Sequence, residues 1–227
     1  MLNVENLCKS YILKGRTVCA NGNISVKVEN SQMAGIFGKS GSGKSTFLNL
    51  LTGLDRPDSG IISWDGQAIS GFGYSESAAF RKMNCGIVFQ FFELLKAQSA
   101  YDNAALPLKL LKKSSAEIES VLVPLFETFG ARDFMRTKAA FLSGGEMQRV
   151  ALIRCLSTNP RYIIADEITA SLDGRLSEFV YSYLRDYIKR NSGIGIFVSH
   201  DMLLEKYIDR KFVMNSGILT ETDVREE

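Results

Sequence analysis

The chain is organised around the stretch Gly38-Lys39-Ser40-Gly41-Ser42-Gly43-Lys44-Ser45-Thr46. Upstream, Met33-Ala34-Gly35-Ile36-Phe37 is a short apolar run that predicts a buried strand. Downstream, Phe47-Leu48-Asn49-Leu50-Leu51 carries a helical pattern. Strand, glycine-rich turn and helix in that order form a P-loop, and its physics is anion capture. Glycine lets backbone N–H groups turn inward on phosphate oxygens with no Cβ in the way. The free start of the helix adds donors and the positive end of its dipole. In such a loop Lys44 reaches the β- and γ-phosphates of a nucleotide, and the Ser45 hydroxyl ligates Mg²⁺.

The bulk properties bound what is built around that loop. A chain of 227 residues with 45% hydrophobic content can form one large domain, or one domain with an inserted lobe. A net charge of +2 without a long basic run requires neither nucleic acid nor an anionic membrane as partner. Cys8, Cys19, Cys85 and Cys155 are scattered, with no CxxC pair. That argues against a disulfide framework or a zinc site and fits a reducing cytosol. No apolar stretch approaches the length of a bilayer span and no signal peptide opens the chain, so any membrane role is expected to run through partners.

On the N-terminal side, Met1-Leu2-Asn3-Val4 and Ile24-Ser25-Val26-Lys27-Val28 alternate as short strands do, with an Asn21-Gly22-Asn23 turn before the second. Tyr11 falls in the connection, either as a half-buried strand-end aromatic or as a flat platform for adenine. On the C-terminal side, Arg56-Pro57-Asp58-Ser59-Gly60 and Asp65-Gly66 bracket Ile61-Ile62-Ser63-Trp64, a hairpin candidate. Cys85 to Gln90 predicts a buried strand ending on a polar residue. Gln90 could cap a strand edge. If its strand is parallel and beside the P-loop strand, it could instead touch Mg²⁺ or orient a water.

Residues 91–141 change character and predict a mostly helical lobe inserted into an α/β core. Ser114 and Glu117 have capping-box spacing. Ile118, Val121, Leu122, Leu125, Phe126 and Phe129 then recur at helical spacing, and Pro124 is expected to bend or break that helix. Phe91-Phe92-Glu93-Leu94-Leu95 is core or an apolar docking surface for a partner helix. Leu142-Ser143-Gly144-Gly145-Glu146-Met147-Gln148-Arg149 opens a further helix, with Ser143 and Glu146 at capping-box spacing. A plain cap does not need Gly144-Gly145. Glycines before a helix expose N–H groups, so this is a second anion site.

Tyr162-Ile163-Ile164-Ala165 predicts a buried strand with Asp166-Glu167 at its end. Adjacent carboxylates leaving a buried strand are costly unless something uses them. Asp166 suits Mg²⁺ held through water, and Glu167 suits polarising a water for in-line attack on a γ-phosphate. Ala170-Ser171-Leu172-Asp173-Gly174 is a turn in which Asp173 could merely cap the next helix. That helix sets Leu176, Phe179, Val180, Tyr183, Leu184, Tyr187 and Ile188 on one core face. Gly195-Ile196-Phe197-Val198 is another buried strand, leading to Ser199-His200-Asp201. His200, the only histidine, could donate to the γ-phosphate; without a Cys or His cluster it is no metal ligand. Lys211 to Leu219 predicts two last strands around Asn215-Ser216-Gly217.

In this order the pieces resemble the ATP-binding subunit of an ABC transporter over nearly the whole chain. Gly38 to Ser45 resembles Walker A, Gln90 the Q-loop, and Leu142 to Gln148 the LSGGQ signature, written here LSGGEMQ. Ile163 to Glu167 resembles Walker B with its catalytic glutamate, Ser171-Leu172-Asp173 the D-loop, His200 the switch histidine and Tyr11 the adenine-stacking aromatic. Within the family, Val88 to Leu95 and Asn103 to Leu108 resemble the lipoprotein-release, macrolide-export and antimicrobial-peptide-export branch. The chain departs from the family pattern at Ile168, where proline is usual, at Ser31-Gln32 before the P-loop strand, and at Ala170-Ser171.

The resemblance implies an α/β fold: a P-loop NTPase core with an antiparallel β subdomain and an inserted helical subdomain. The expected division is 1–90 and 156–227 for the core and 91–155 for the helical subdomain, within a single domain 1–227. It implies ATP and Mg²⁺ as cofactors, with Gly38, Lys39, Ser40, Gly41, Ser42, Gly43, Lys44, Ser45, Thr46 and Tyr11 binding nucleotide. Ser45, Gln90 and Asp166 are the expected metal set, and Glu167, His200, Gln90 and Lys44 the catalytic set. Ser143, Gly144, Gly145, Glu146 and Asp173 are expected to complete the nucleotide site of a second, identical ATPase subunit. There, Ser143 and Gly145 would bind the γ-phosphate held by the partner's Lys44. A separate transmembrane permease is expected to dock near Gln90 to Leu95, which places the chain in the cytoplasm on the inner face of the membrane. A cell-division ATPase transmitting force to an envelope partner is the alternative. A nucleic-acid-linked ATPase would need a coiled-coil insertion or tandem cassettes, which this chain lacks.

Overall fold

The computed structural model describes residues 1–224; the last positions of the expected domain, 225–227, lie outside them. Two sheets organise the chain. Strands β1 (Leu2–Leu13), β2 (Arg16–Val28), β4 (Ser59–Trp64) and β5 (Gln67–Ala68) form an antiparallel sheet in the order β2-β1-β4-β5. The second sheet has the order β10-β9-β3-β8-β7-β6. Its strands are β3 (Met33–Phe37), β6 (Cys85–Val88), β7 (Tyr162–Asp166), β8 (Ile194–Val198), β9 (Arg210–Asn215) and β10 (Ile218–Thr222). All neighbours in it are parallel except the β9–β10 hairpin. Six helices accompany the sheets among the described residues: α1 (Lys44–Leu51), α2 (Tyr74–Asn84), α3 (Ala100–Leu110), α4 (Ser115–Thr128), α5 (Gly144–Leu156) and α6 (Gly174–Arg190). None is long and apolar enough to cross a membrane.

Burial explains why the parallel strands read as continuous apolar runs. All five residues of β3 and of β8 are buried, as strands covered on both faces must be. The two-residue period then divides them between two cores. In β7, Ile163 and Ala165 join one cluster with Phe126, Val150, Val180 and Tyr181, the side covered by α4, α5 and α6. Tyr162 and Ile164 join the other, with Phe47 and Leu50 of α1 and Leu2, Leu7 and Ile24 of the antiparallel sheet. The helical segment therefore shares its core with one face of the parallel sheet.

Several local expectations are corrected. Tyr11 lies inside β1, not in a connection, because β1 and β2 are one long hairpin whose turn is Lys14-Gly15. Both turn residues have positive φ, 50° and 75°, as a two-residue hairpin loop requires. Asn21-Gly22-Asn23 is no turn; it sits within β2 where the register with β1 shifts, and Asn23 takes φ 53°. Strand β6 is parallel but pairs only with β7 at the sheet edge, so β8 and β7 separate it from the P-loop strand. Helix α4 runs through Pro124. The proline lies on the exposed face, where water can serve the carbonyl it leaves unpaired, while Ile118, Leu122 and Phe126 anchor the buried face. On α6 the buried face is Val180, Tyr181, Leu184, Tyr187 and Ile188, and Phe179 is exposed at its margin against Phe129. Of the apolar cluster 91–95, Phe91 is 77% exposed and Leu95 51%, while Phe92 and Leu94 pack against the core.

Candidate active site

The P-loop connects β3 to α1, and two of its glycines are enforced by close backbone approach. Gly38 has φ 148°, and a Cβ there would lie 2.2 Å from the Met214 carbonyl oxygen. Gly43 has φ 108°, and its Cβ would lie 2.1 Å from the Ala20 carbonyl oxygen. Gly43 is also the N-cap of α1 and supplies no side-chain bond to it. The first-turn N–H groups of α1 are thus left without a side-chain cap, the condition for an anion site.

Lys44 is buried, and its Nζ donates to the carbonyls of Gly38 at 2.6 Å and Lys39 at 2.9 Å. Burial lowers its pKa, opposed by the nearby Asp166 and Glu167. A buried ammonium held by carbonyls with carboxylates close by is poised to take phosphate oxygens as better acceptors. In the next position of α1, the Ser45 hydroxyl donates to Asp166 Oδ2 at 2.6 Å. Asp166 is the last residue of β7, so the start of α1 and the end of β7 converge on one point.

Glu167 follows in a left-handed conformation, φ 56°, with its N–H donating to the Val198 carbonyl of β8 at 2.9 Å. Its carboxylate lies 3.5 Å from His200 Nε2, with 12% of the Glu167 side chain and 54% of the His200 side chain exposed. Burial raises the carboxyl pKa of Glu167, against the opposing pull of His200. A raised pKa makes the carboxylate a stronger base, as the activation of a water requires.

One cleft is lined by Tyr11, Ser40, Gly41, Gly43, Lys44, Ser45, Thr46, Gln90, Asp166, Glu167 and His200. Gln90, two residues past the end of β6, also lines the adjoining hollow with Ser45 and Asp166, although β7 and β8 separate β6 from β3. A hydroxyl, a carboxylate and an amide carbonyl make an all-oxygen donor set, which suits a hard cation such as Mg²⁺. At the far end of the cleft the Tyr11 hydroxyl donates to Asp55 Oδ2 at 2.6 Å, and Lys9 Nζ lies 5.1 Å from the Tyr11 ring centroid while bonding Asp55 at 3.0 Å. Burial, with Asp55 adding to it, raises the Tyr11 pKa and keeps the phenol neutral. Asp55 and Lys9 are absent from the sequence-based site because their role appears only when β1 meets the segment after α1. Gly38, Lys39 and Ser42 are not part of the cleft lining, but Gly38 and Lys39 supply the carbonyls that hold Lys44.

Ser143, Gly144, Gly145, Glu146 and Asp173 do not line this cleft. Ser143 is exposed and is the N-cap of α5. The Glu146 carboxylate accepts the Ser143 N–H at 2.7 Å and its hydroxyl at 2.8 Å, so it serves the capping box. These bonds hold the Glu146 pKa low. A Cβ on Gly145 would lie 2.9 Å from the Ser171 carbonyl oxygen, so the 170–174 turn packs directly on the start of α5. Asp173 caps α6, accepting the Leu176 N–H at 3.0 Å. A second glycine-rich helix start therefore faces outward, apart from the chain's own cleft.

Three comparisons bear on this geometry. The sequence pattern of the ABC transporter family matches residues 22–170. The lipoprotein-releasing system ATP-binding protein LolD of Anaplasma marginale (strain St. Maries) is 35% identical over 221 residues, 97% of this chain and 98% of that protein. The dimeric structure of MJ0796, a bacterial ABC transporter cassette, superposes with a TM-score of 0.95 at 28% identity, covering 100% of both chains. A dimeric post-hydrolysis state of the ATP-binding cassette MJ0796, bound to ADP and Pi, gives 0.94 at 29% identity over the same coverage.

Proposed function

This chain belongs to the ABC transporter family as one of its ATP-hydrolysing cassettes, and from that premise we propose that it powers a separate membrane permease in lipoprotein release. The observation that carries the reading is the convergence of the P-loop, Asp166, Glu167 and His200 on one cleft, with a second glycine-rich helix start, that of α5, lying outside it. The LolD relative favours lipoprotein release over the cell-division alternative.

In this reading Tyr11 stacks on adenine and the loop from Gly38 to Thr46 wraps the phosphates, with Lys44 exchanging its carbonyl partners for phosphate oxygens. Mg²⁺, held by Ser45, Asp166 and Gln90, would neutralise charge on the β- and γ-phosphates. Glu167 holds and polarises the attacking water, Gln90 helps to orient it, and the exposed ring of His200 contacts the γ-phosphate. Ser143, Gly144 and Gly145 grip the γ-phosphate of a second copy, with Glu146 fixing the Ser143 backbone and Asp173 fixing the neighbouring helix. The dimeric MJ0796 cassettes support a homodimer. Moving a dimer equilibrium from 1:99 to 99:1 takes about 5.5 kcal/mol of differential binding. Charge-assisted hydrogen bonds of about 1.5–3 kcal/mol each can supply that between Ser143, Gly145 and a phosphate. Residues 91–155 act as the helical subdomain on the core of 1–90 and 156–227, and exposed Phe91 and Leu95 offer the permease an apolar contact. The protein then works as a peripheral subunit on the cytoplasmic face of the membrane.

The test is Glu167→Gln. Loss of turnover with retained ATP-dependent dimers is the expected result, read by phosphate release and size-exclusion light scattering. Turnover equal to wild type removes Glu167 from the chemistry and with it this mechanism.

A further inference from the structure

The geometry points to Tyr181 as a positioning residue whose hydroxyl ties the loop carrying Glu167 to the loop carrying His200; the proposal rests on the ATPase reading above. Tyr181 is fully buried on α6, with Thr169 and Ser199 buried beside it. A hydroxyl so placed must find partners or cost free energy. Its oxygen lies 2.8 Å from Thr169 Oγ1 and 3.5 Å from Ser199 Oγ. Thr169 Oγ1 lies 3.2 Å from Asp201 Oδ2.

The hydrogens in this cluster can be assigned by elimination. A carboxylate only accepts, so the single Thr169 hydroxyl hydrogen goes to Asp201. Tyr181 must then donate to Thr169. Ser199 turns its own hydrogen to the Tyr181 oxygen while its oxygen accepts the Asp201 N–H at 2.9 Å. The chain of donors runs Ser199, Tyr181, Thr169, Asp201, and ends on a charged acceptor whose other oxygen accepts the Leu203 N–H at 2.9 Å.

Where these residues sit gives the cluster its purpose. Thr169 follows Glu167 by two positions, and Ser199 and Asp201 flank His200. The cluster is thus built from near neighbours of the two residues that meet at 3.5 Å, Glu167 and His200. Glu167 holds a left-handed backbone, which persists only where its surroundings enforce it. The adjacent Ile168 is an ordinary side chain, 1% exposed, and leaves the backbone φ free where a proline would fix it. The Glu167 loop is restrained on one side by its own N–H bond to the Val198 carbonyl and on the other by the Tyr181 and Asp201 bonds to Thr169.

Tyr181→Phe removes the hydroxyl and keeps the ring. The expected result is a fall in kcat of about tenfold, with KM for ATP within about twofold of wild type. Thr169→Val, which also removes the bond to Asp201, is expected to lose at least as much, Thr169→Ser to retain activity, and the Tyr181→Phe/Thr169→Val pair to be no worse than Thr169→Val alone. ATP-driven dimerisation of Glu167→Gln is expected to survive the addition of Tyr181→Phe, which separates positioning from folding and binding. A wild-type kcat in Tyr181→Phe overturns the proposal. So does a rise in KM matching the fall in kcat, or multiplicative losses in the pair. If Glu167→Gln stops turnover while Tyr181→Phe is wild type, this proposal alone fails; if Glu167→Gln turns over normally, the ATPase mechanism beneath it fails.

Discussion

Replacing Gly43 with alanine tests whether the phosphate loop is held by backbone crowding. The added Cβ would stand 2.1 Å from the Ala20 carbonyl oxygen, a backbone atom. That oxygen also accepts from the Asn21 side-chain amide at 2.8 Å, and the same amide lies 3.2 Å from the Gly43 carbonyl. Asn21 is fully buried, so β2 cannot yield cheaply. The positive φ of 108° adds a conformational cost of about 1–2 kcal/mol for an L side chain. Forced repacking adds about 1–3 kcal/mol, for a sum of about 2–5 kcal/mol. At about 2–4 °C per kcal/mol for a chain of this size, Tm falls by on the order of 10 °C. The start of α1 shifts with the loop, so ATP affinity, read by fluorescent-nucleotide titration, falls by about tenfold or more. Gly66→Ala is the control: φ is 82° with nothing within 4 Å of its Cβ. It pays the dihedral term alone, about 1–2 kcal/mol, with ATP affinity unchanged. Wild-type Tm and ATP affinity in Gly43→Ala would show that the Ala20 carbonyl does not hold the loop in place.

In the proposed mechanism hydrolysis requires Glu167 as a carboxylate, and burial raises its pKa. Activity is therefore lost, as pH falls, at a value above the ordinary glutamate pKa of about 4.3; a kcat–pH profile whose acid limb lies at or below that value contradicts this. Tyr11→Phe keeps the ring but drops its bond to Asp55, worth about 1 kcal/mol, so KM for ATP rises about fivefold while affinity for inorganic tripolyphosphate stays constant. An equal loss for both ligands would show that Tyr11 acts on the loop and not on the base. Arg154 donates to the Phe92 carbonyl at 2.6 Å and the Glu93 carbonyl at 2.5 Å, and both acceptor residues hold positive φ. Arg154→Ala is expected to cost about 3 kcal/mol of stability, and an unchanged Tm excludes that role.

Legibility in the sequence followed how local each cause was. The P-loop, the strand Met33–Phe37 and both capping boxes are contiguous signals that stand where their residues place them, and the strand read at 162–165 runs one residue further, to Asp166. Asn21-Gly22-Asn23 misled because the same residue types serve turns and bulges; the choice was made by pairing with β1, which extends well past Val4. Helix α2 had no apolar period to find, since only Ser77 and Phe80 are buried on it. Pro124 was tolerated because it faces water, which a one-dimensional pattern does not record. In the cleft, motifs carried by short segments were readable. Asp55 beside Tyr11, and Tyr181 between Thr169 and Ser199, were not, since each acts through residues brought close only by the fold.

In the proposed dimer each triphosphate is held by the P-loop of one copy and the signature helix of another. Lys44→Ala disables the first, and Ser143→Glu, at an exposed position, sets a repelling charge on the second. Each variant alone is expected to be inactive. Mixed together, they form heterodimers with one intact composite site, so single-turnover ATP hydrolysis should return on mixing. If the mixture stays as inactive as its components while heterodimers form, the two helix starts do not share a nucleotide.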